Sequence, residues 1–227
     1  MNQSDLKSIE LLTGEKWGKT RSSLYSNYLK RGLDLLLIVL SLPFFIPLML
    51  FLSLWIKLDS KGPIVYSGQR IGKDGKAFSC FKFRTMHPNA DQILDELLKN
   101  NPNLQEEWKK DQKLRQDPRV TRAGKWIRKL SIDELPQVFN ILRGDMSWVG
   151  PRPIVKDEII RYGDKFSYYK QVRPGLTGLW QVSGRNHTSY EERVNLDMFY
   201  AQKINLLLDL KIILKTLPAV LFSKGAY

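Results

Sequence analysis

Two acidic residues stand side by side at Asp133 and Glu134, within Ser131-Ile132-Asp133-Glu134-Leu135-Pro136-Gln137. Arg128, Lys129, Arg143 and Arg152 all lie within about twenty residues of them. Adjacent carboxylates among guanidinium groups suit phosphoryl transfer. A divalent cation can bridge carboxylate and diphosphate, arginines can neutralise the transferring oxygens, and a carboxylate can attack phosphorus to form an acyl phosphate. Oxygen donors of this kind favour Mg²⁺ or Mn²⁺. With no CxxC spacing and only His87 and His187, a zinc set is not in view. There is a plainer reading. Ser131-x-x-Glu134 is also a capping box, with Ser131 as N-cap and Glu134 at N3 of a helix running to about Leu142, where the helix dipole favours acidic residues. The spacing supports both.

The elements around the pair can be read from periodicity. Ile64 to Ile71 and Lys76 to Met86 are β-rich, and the Asp74-Gly75 pair between them predicts a hairpin turn. Alternation in the second strand puts Phe81 and Phe83 on one face and Lys82 and Arg84 on the other. That basic pair suits an anion, although KFR taken alone reads as a solvated strand face. Pro88 to Lys110 is a charged helical stretch with Ile93, Leu94, Leu97 and Leu98 as its apolar stripe. A short basic helix is expected near Ala123 to Lys129, and another near Ile154 to Tyr162. Gly150-Pro151-Arg152-Pro153 and Arg173-Pro174-Gly175-Leu176-Thr177-Gly178 are Gly/Pro loops, and helices close the chain from about Tyr190. In the last of these, Leu206, Leu207, Leu210, Ile213, Leu214 and Leu217 share one arc, which either covers the core or lies in a membrane interface.

Ahead of this region, Leu33 to Ile56 is a run of 24 residues whose only charge is Asp34. As a straight helix it would cover roughly 36 Å, enough for a hydrocarbon core of about 30 Å. Pro43 and Pro47 interrupt it near the middle and leave arms of about ten residues, or about 15 Å each. Lys30 and Arg31 flank its start and Lys57 and Lys61 its end, so the positive-inside rule gives no direction of crossing. A helix–break–helix that enters and leaves by one face satisfies both flanks; a kinked spanning helix satisfies the length. Asp34 lies within one helical turn of Lys30 and Arg31, in pairing reach at the interface, and Ser41 offers a hydroxyl to carbonyls freed by the prolines.

Composition sets the outer bounds. The 227 residues allow one ordinary domain plus an anchor, and 43% apolar content is enough for a core. Lys and Arg exceed Asp and Glu by 36 to 23, a net charge of +13 that points to phosphates, anionic lipid or nucleic acid. Cys80 is the single cysteine, so no internal disulfide forms, which fits a reducing compartment. No helix-turn-helix or RNP pattern is present, which counts against a tethered nucleic-acid binder.

The ordered series of motifs resembles the monotopic phosphoglycosyl transferases of bacterial surface-glycan assembly, the bacterial sugar transferase family. It comprises Lys30-Arg31-x-x-Asp34; Gly62-Pro63; Gln69-Arg70-x-Gly72; Lys82-Phe83-Arg84-Thr85-Met86; Arg128 with Ser131-x-Asp133-Glu134-Leu135-Pro136-Gln137; Gly150-Pro151-Arg152-Pro153; and Arg173-Pro174-Gly175-x-Thr177-Gly178. The resemblance implies an α+β chain of three parts. These are a polar segment over 1–29, a re-entrant membrane helix over 30–58 broken at Ser41 and Pro43, and a small, mostly helical catalytic domain over 59–227 with a β-hairpin and interfacial amphipathic helices. The break here reads Ser41-Leu42-Pro43, one residue looser than the family's Ser-Pro step.

By the same resemblance, a sugar 1-phosphate moves from a UDP-sugar to undecaprenyl (polyprenyl) phosphate. Asp133 is the expected nucleophile, forming a phosphosugar-aspartyl intermediate, with Glu134 beside it and Mg²⁺ at Asp133. Lys82, Arg84, Arg128, Arg152, Gln181, Arg185 and Asp197 are expected at substrate or phosphate, and Lys30, Arg31 and Asp34 at the interface. The segment Asn186 to Arg193 resembles hexose 1-phosphate transferases, with galactose or glucose as donor sugar. The implied location is the cytoplasmic face of the bacterial inner membrane, with membrane lipid as partner, no nucleic acid, and room for a homodimer.

Overall fold

Residues 30–59 are dense in Leu, Ile and Phe, with no glycine after Gly32, and form the longest helix, α1 (Lys30–Asp59), entered through a five-residue π-helix, Tyr25–Leu29. The computed structural model describes residues 24–111, 114, 116–183 and 188–221. The interruption expected at Ser41 and Pro43 is not a gap in the helix, which continues through both prolines. Ser41 Oγ donates to Ile38 O at 2.9 Å. Pro43 frees the Val39 carbonyl, four residues back, but the hydroxyl bonds Ile38 O, which neither proline frees, rather than the carbonyl expected of it. Packing does change at this step, because the chain divides into two compact units between Pro43 and Phe44. Among the described residues α1 is the one helix long and apolar enough to cross a bilayer, and Leu36, Val39, Leu40, Phe44, Leu50, Phe51 and Leu54 are exposed along it.

After α1 the order is β1 (Val65–Ile71), β2 (Ala77–Phe83), α2 (Ala90–Asn100), α3 (Pro102–Asp111), α4 (Arg122–Lys129), α5 (Gln137–Arg143), β3 (Ser147–Val149), β4 (Gly175–Thr177), α6 (Tyr190–Lys203) and α7 (Leu206–Leu221), with single helical turns between some of them. The hairpin turn forms where Asp-Gly predicted it, with positive φ at both Asp74 (59°) and Gly75 (75°). The charged stretch after Pro88 is two helices rather than one. Pro102 excludes the helical conformation from the residue before it, and Asn101 is extended at φ −138°, ψ 96°.

One unit holds α1 up to Pro43, residues Ser67–Phe81, and the chain from Pro136 onward. Its core joins Val149, Val172, Leu179, Leu196, Phe199, Tyr200, Ile204, Leu208 and Ile212, with Leu33 of α1 packed against it. The two Gly/Pro loops turn out to be partners. β3 and β4 pair in parallel, Ser147 opposite Gly175 and Val149 opposite Thr177. A side chain at Gly150 would put its Cβ 2.3 Å from Arg173 O, and one at Gly175 would come within 2.1 Å of Gly150 N. Those glycines permit the two backbones to touch.

Near the start of α1, Lys30 and Asp34 attract each other as their spacing suggests, and each also has buried partners far along the chain. Lys30 binds Asp209 of α7 at 2.5 Å, and Asp209, with no exposed surface, also accepts from the hydroxyls of Tyr25 and Tyr200. Asp34 accepts from Ser147 Oγ at 2.9 Å and Trp148 N at 3.0 Å, while Arg31 donates to the carbonyls of Ile141 and Leu142. An exposed turn-to-turn ion pair contributes a few tenths of a kcal/mol, whereas a charge taken out of water must find partners. On α7 the core takes Leu208, Asp209 and Ile212, and Leu206, Leu207, Leu210 and Leu214 of the leucine arc face outward.

The other unit holds Phe44–Tyr66 and Lys82–Leu135. Leu52 and Ile56 of α1 are buried with Phe83, Ala123 and Ile127, flanked by Trp55, Ile132 and Leu135.

Asp197 on α6 is 2% exposed and accepts from Tyr162 Oη at 2.6 Å. Burial lifts its carboxyl to about 6, against the pull of Arg193 and the Tyr162 hydroxyl. A raised folded pKa means that its contribution is complete below the unfolded carboxylate range and is lost as pH rises through about 6. Wild type should therefore lose thermal stability relative to Asp197→Asn between about pH 4 and about pH 7. Unfolding midpoints of the two proteins in detergent, compared at both ends of that window, check this; a pH-independent difference would refute it.

Candidate active site

The dyad is positioned by the end of α4 rather than by the start of α5. α4 opens on Thr121, whose hydroxyl accepts from Gly124 N, and it closes in a Schellman turn. In that turn Ile132 N donates to Ile127 O (3.1 Å) and Ser131 N to Arg128 O (2.9 Å), with Ser131 left-handed at φ 55°. Ser131 is therefore the residue just past a helix, and the capping box does not form. α5 starts only at Gln137, with Pro136 as its N-cap. Asp133 and Glu134 occupy the turn between the two helices.

This frees Glu134 for a different partner. Phe83 N donates to Asp133 O at 2.8 Å, which lays the end of β2 along the dyad turn. Alternation then buries Phe83 in the core and aims Lys82 at the carboxylates. Lys82 Nζ stands 2.8 Å from Glu134 Oε1 and 3.7 Å from Asp133 Oδ2. All three are partly buried, with side-chain exposures of 25%, 18% and 20% for Lys82, Asp133 and Glu134. KFR is thus not a solvated face.

The strand's continuation brings in Arg128. Thr121 N donates to Thr85 O and His87 N to Arg119 O, and Arg128 Nε donates to Thr85 Oγ1 at 2.8 Å. Burial draws the Arg128 guanidinium below its ordinary range, against the attraction of Asp133 and Asp117. Asp117 and Arg119, which the motif series passed over, form a bidentate pair at 2.8 and 2.7 Å, with Arg119 stacked 4.9 Å from the Trp108 ring. Burial by itself would lift the Asp117 carboxyl, but hydrogen bonds from Arg119 and the charges of Arg119 and Arg128 hold it below its usual range. The alternating charges of Asp117-Pro118-Arg119 were the available signal.

Arg84 has a different task from the phosphate contact expected of it. Its guanidinium donates to Lys61 O (2.6 Å), Ser60 O (2.7 Å) and Ser60 Oγ (3.0 Å), holding the carbonyls just past the end of α1. Gly62, at φ 123°, makes room for it, since a Cβ there would lie 2.1 Å from Arg84 Nη1. Arg152, Gln181 and Asp197 belong to the other compact unit, on the Gly150–Pro153 loop, the helical turn Leu179–Val182 and α6. Arg185 lies outside the described residues.

Among the described residues no three or more His, Cys, Asp or Glu side chains gather as a metal cage. The dyad still offers two adjacent hard-oxygen ligands, the donor set of a Mg²⁺ site that completes itself with water and substrate phosphates.

A helix long and apolar enough to cross a membrane and an acidic pair facing a lysine define an α+β protein with a charged site. The bacterial sugar transferase profile matches residues 25–223, and the chain belongs to that family. It is 50% identical over 198 residues to the exopolysaccharide production protein ExoY of Sinorhizobium fredii, covering 87% of this chain and 88% of that one. It is also 50% identical over 203 residues to undecaprenyl-phosphate galactose phosphotransferase of Salmonella typhimurium, covering 89% of this chain and 42% of that one. A third relative, an uncharacterized sugar transferase of Haemophilus influenzae, is 49% identical over 206 residues, 91% of this chain and 44% of its own. The chain thus spans less than half the length of the last two.

A left-handed non-glycine residue costs about 1 kcal/mol. Ser131→Gly should therefore raise the unfolding free energy by about 0.5–1 kcal/mol. At an N-cap the same change would lower it by a few tenths, so denaturant titration of the two proteins separates the two roles by sign.

Proposed function

We propose that the protein is a phosphoglycosyl transferase that moves a sugar 1-phosphate from a UDP-sugar to undecaprenyl phosphate. The observation that carries this is Lys82 held against both Asp133 and Glu134, with Arg128 within electrostatic reach of Asp133. Such a site pairs a carboxylate nucleophile with cations able to take up phosphate charge. An Asp133 carboxylate oxygen attacks the phosphorus that bears the sugar. The bond to the bridging oxygen breaks and uridine monophosphate departs with its electron pair. A phosphate oxygen of the lipid carrier then attacks the same phosphorus, the aspartyl oxygen leaves, and Asp133 is regenerated.

Lys82 would exchange its carboxylate partner for a phosphoryl oxygen as substrate enters, and Arg128, oriented through Thr85, would meet another. Mg²⁺ held at Asp133, with Glu134 at its side, would supply further charge neutralisation on the diphosphate. The Salmonella relative's name carries galactose and undecaprenyl phosphate; with the hexose-type segment Asn186–Arg193, galactose is the first donor to try, ahead of glucose.

The same reading places α1 as a re-entrant anchor on the cytoplasmic face of the bacterial inner membrane. What supports it is where the helix ends are tied. Asp34 near one end is bonded to Ser147 and Trp148, and Asp59 at the other accepts from Ala123 N at 3.1 Å. Between Ala123 and Ser147 lies no second helix apolar enough to cross, so a spanning α1 would drag polar chain through the bilayer. A site at headgroup height would meet both a water-borne UDP-sugar and a lipid phosphate.

Asp133→Asn should lower uridine monophosphate release from UDP-galactose by about 10³-fold or more, with membrane binding intact; full activity would sink the covalent route. Tags at the two ends of the chain should be equally accessible in sealed vesicles, and tags on opposite sides would establish a crossing.

A further inference from the structure

The unit that holds the dyad also contains a buried ion pair that the transfer route does not use. The side chains of Asp117 and Arg119 are 11% and 8% exposed. Asp117 Oδ1 accepts from Arg119 N at 3.0 Å and from Nε at 2.8 Å, and Oδ2 accepts from Nη2 at 2.7 Å. Pro118 between them fixes φ, and the Trp108 ring of α3 lies over the guanidinium. Stability is a poor reason for such a pair, because well-packed apolar residues in its place are often neutral or stabilising.

Its place in the fold gives a better one. Residues 117–121 run antiparallel to 85–87, with Thr121 N donating to Thr85 O, His87 N to Arg119 O, and Met86 bridging Val120. α4 starts where this pairing ends, and a Cβ on Gly124 would stand 2.1 Å from Thr85 O. At the far end of α4, Arg128 Nε donates to Thr85 Oγ1, so Asp117 and Arg128 are fixed to the same short stretch of chain. Among the described residues that is the one hydrogen bond of the Arg128 guanidinium, and its two terminal nitrogens answer to the charges around them. Asp133 attracts them most, Asp117 next, and Arg119 repels them less than Asp117 attracts. An arginine that closed on Asp133 would cover the attacking oxygens and meet no phosphate. Resting on the phosphoglycosyl transferase reading, we propose that Asp117, locked in place by Arg119, is a positioning residue: it draws the Arg128 guanidinium off Asp133 and holds it open for the phosphates of the UDP-sugar. The pair acts on Arg128 as a weak, immobile anion, enough to hold it and weak enough to yield it to a diphosphate.

A residue that acts through Arg128 should lose its effect when Arg128 is gone, whereas a merely structural one should not. The test is a double-mutant cycle of Asp117→Asn and Arg128→Gln in the full chain in detergent, reading uridine monophosphate release from UDP-galactose. Asp117→Asn should lower kcat/KM by about tenfold in the wild-type background and by less than about twofold in the Arg128→Gln background. Asp117→Asn also leaves a buried arginine unpaired, which is destabilising, so Asp117→Asn combined with Arg119→Gln is measured beside it. That neutral pair should bring the unfolding midpoint back toward wild type and leave the activity low. Full activity in Asp117→Asn, equal losses in the two backgrounds, or activity that returns with stability in the neutral pair would each overturn this proposal alone. A wild type that releases no uridine monophosphate from a panel of UDP-sugars would overturn it together with the transferase reading.

Discussion

Two carboxylates on one short turn repel each other, and Lys82, held against both, offsets that repulsion. At about 4 Å and an intermediate dielectric, such an attraction is worth about 4 kcal/mol before desolvation is subtracted. The unit around the dyad serves this placement. β2 bonds to the dyad turn through Phe83 and Asp133, so that the alternation of the strand, rather than a flexible side chain searching for a partner, presents Lys82. The Schellman turn after α4 fixes where Asp133 and Glu134 lie, and Thr85 fixes the plane of Arg128.

Charge burial also organises the start of α1. Lys30 and Asp34 stand at the mouth of an apolar segment where unpaired charge is costly, and each has a partner far along the chain: Asp209 for one, Ser147 and Trp148 for the other. Tyr25 and Tyr200 complete the shell of Asp209. At the other end Arg84 occupies the carbonyls at Ser60 and Lys61, and Asp59 caps α4. The apolar helix is thus fastened at both ends by polar contacts.

Several local patterns were legible without coordinates. The Asp74-Gly75 turn and the apolar stripe of α2 rest on interactions within a few residues. Ser131-x-x-Glu134 shows how such a pattern misleads. The same four residues satisfy a capping box on paper, but Ile132 and Ser131 donate back to α4, and Glu134 turns to Lys82. Arg84 is similar: strand alternation set it beside Lys82, but the strand ends at Phe83 and the guanidinium turns to the carbonyls after α1. The leucine arc of α7 was a real face, yet the core took the neighbouring Leu208 and Ile212.

The sequence by itself determined which chemistry was on offer: an apolar segment with basic flanks, an acidic pair, and the cations to face it. Those are properties of composition and short spacing, and they hold in any fold. Tertiary structure decided who pairs with whom. Lys82 and Glu134 are 52 residues apart and Lys30 and Asp209 are 179 apart. No periodicity links positions so distant, because helical and strand periods register only neighbours, and several cations were equally available by charge. What selects Lys82 is the strand end that bonds to the dyad turn, and what selects Asp209 is the packing of α7, which sets its carboxylate against Lys30 and the Tyr25 and Tyr200 hydroxyls.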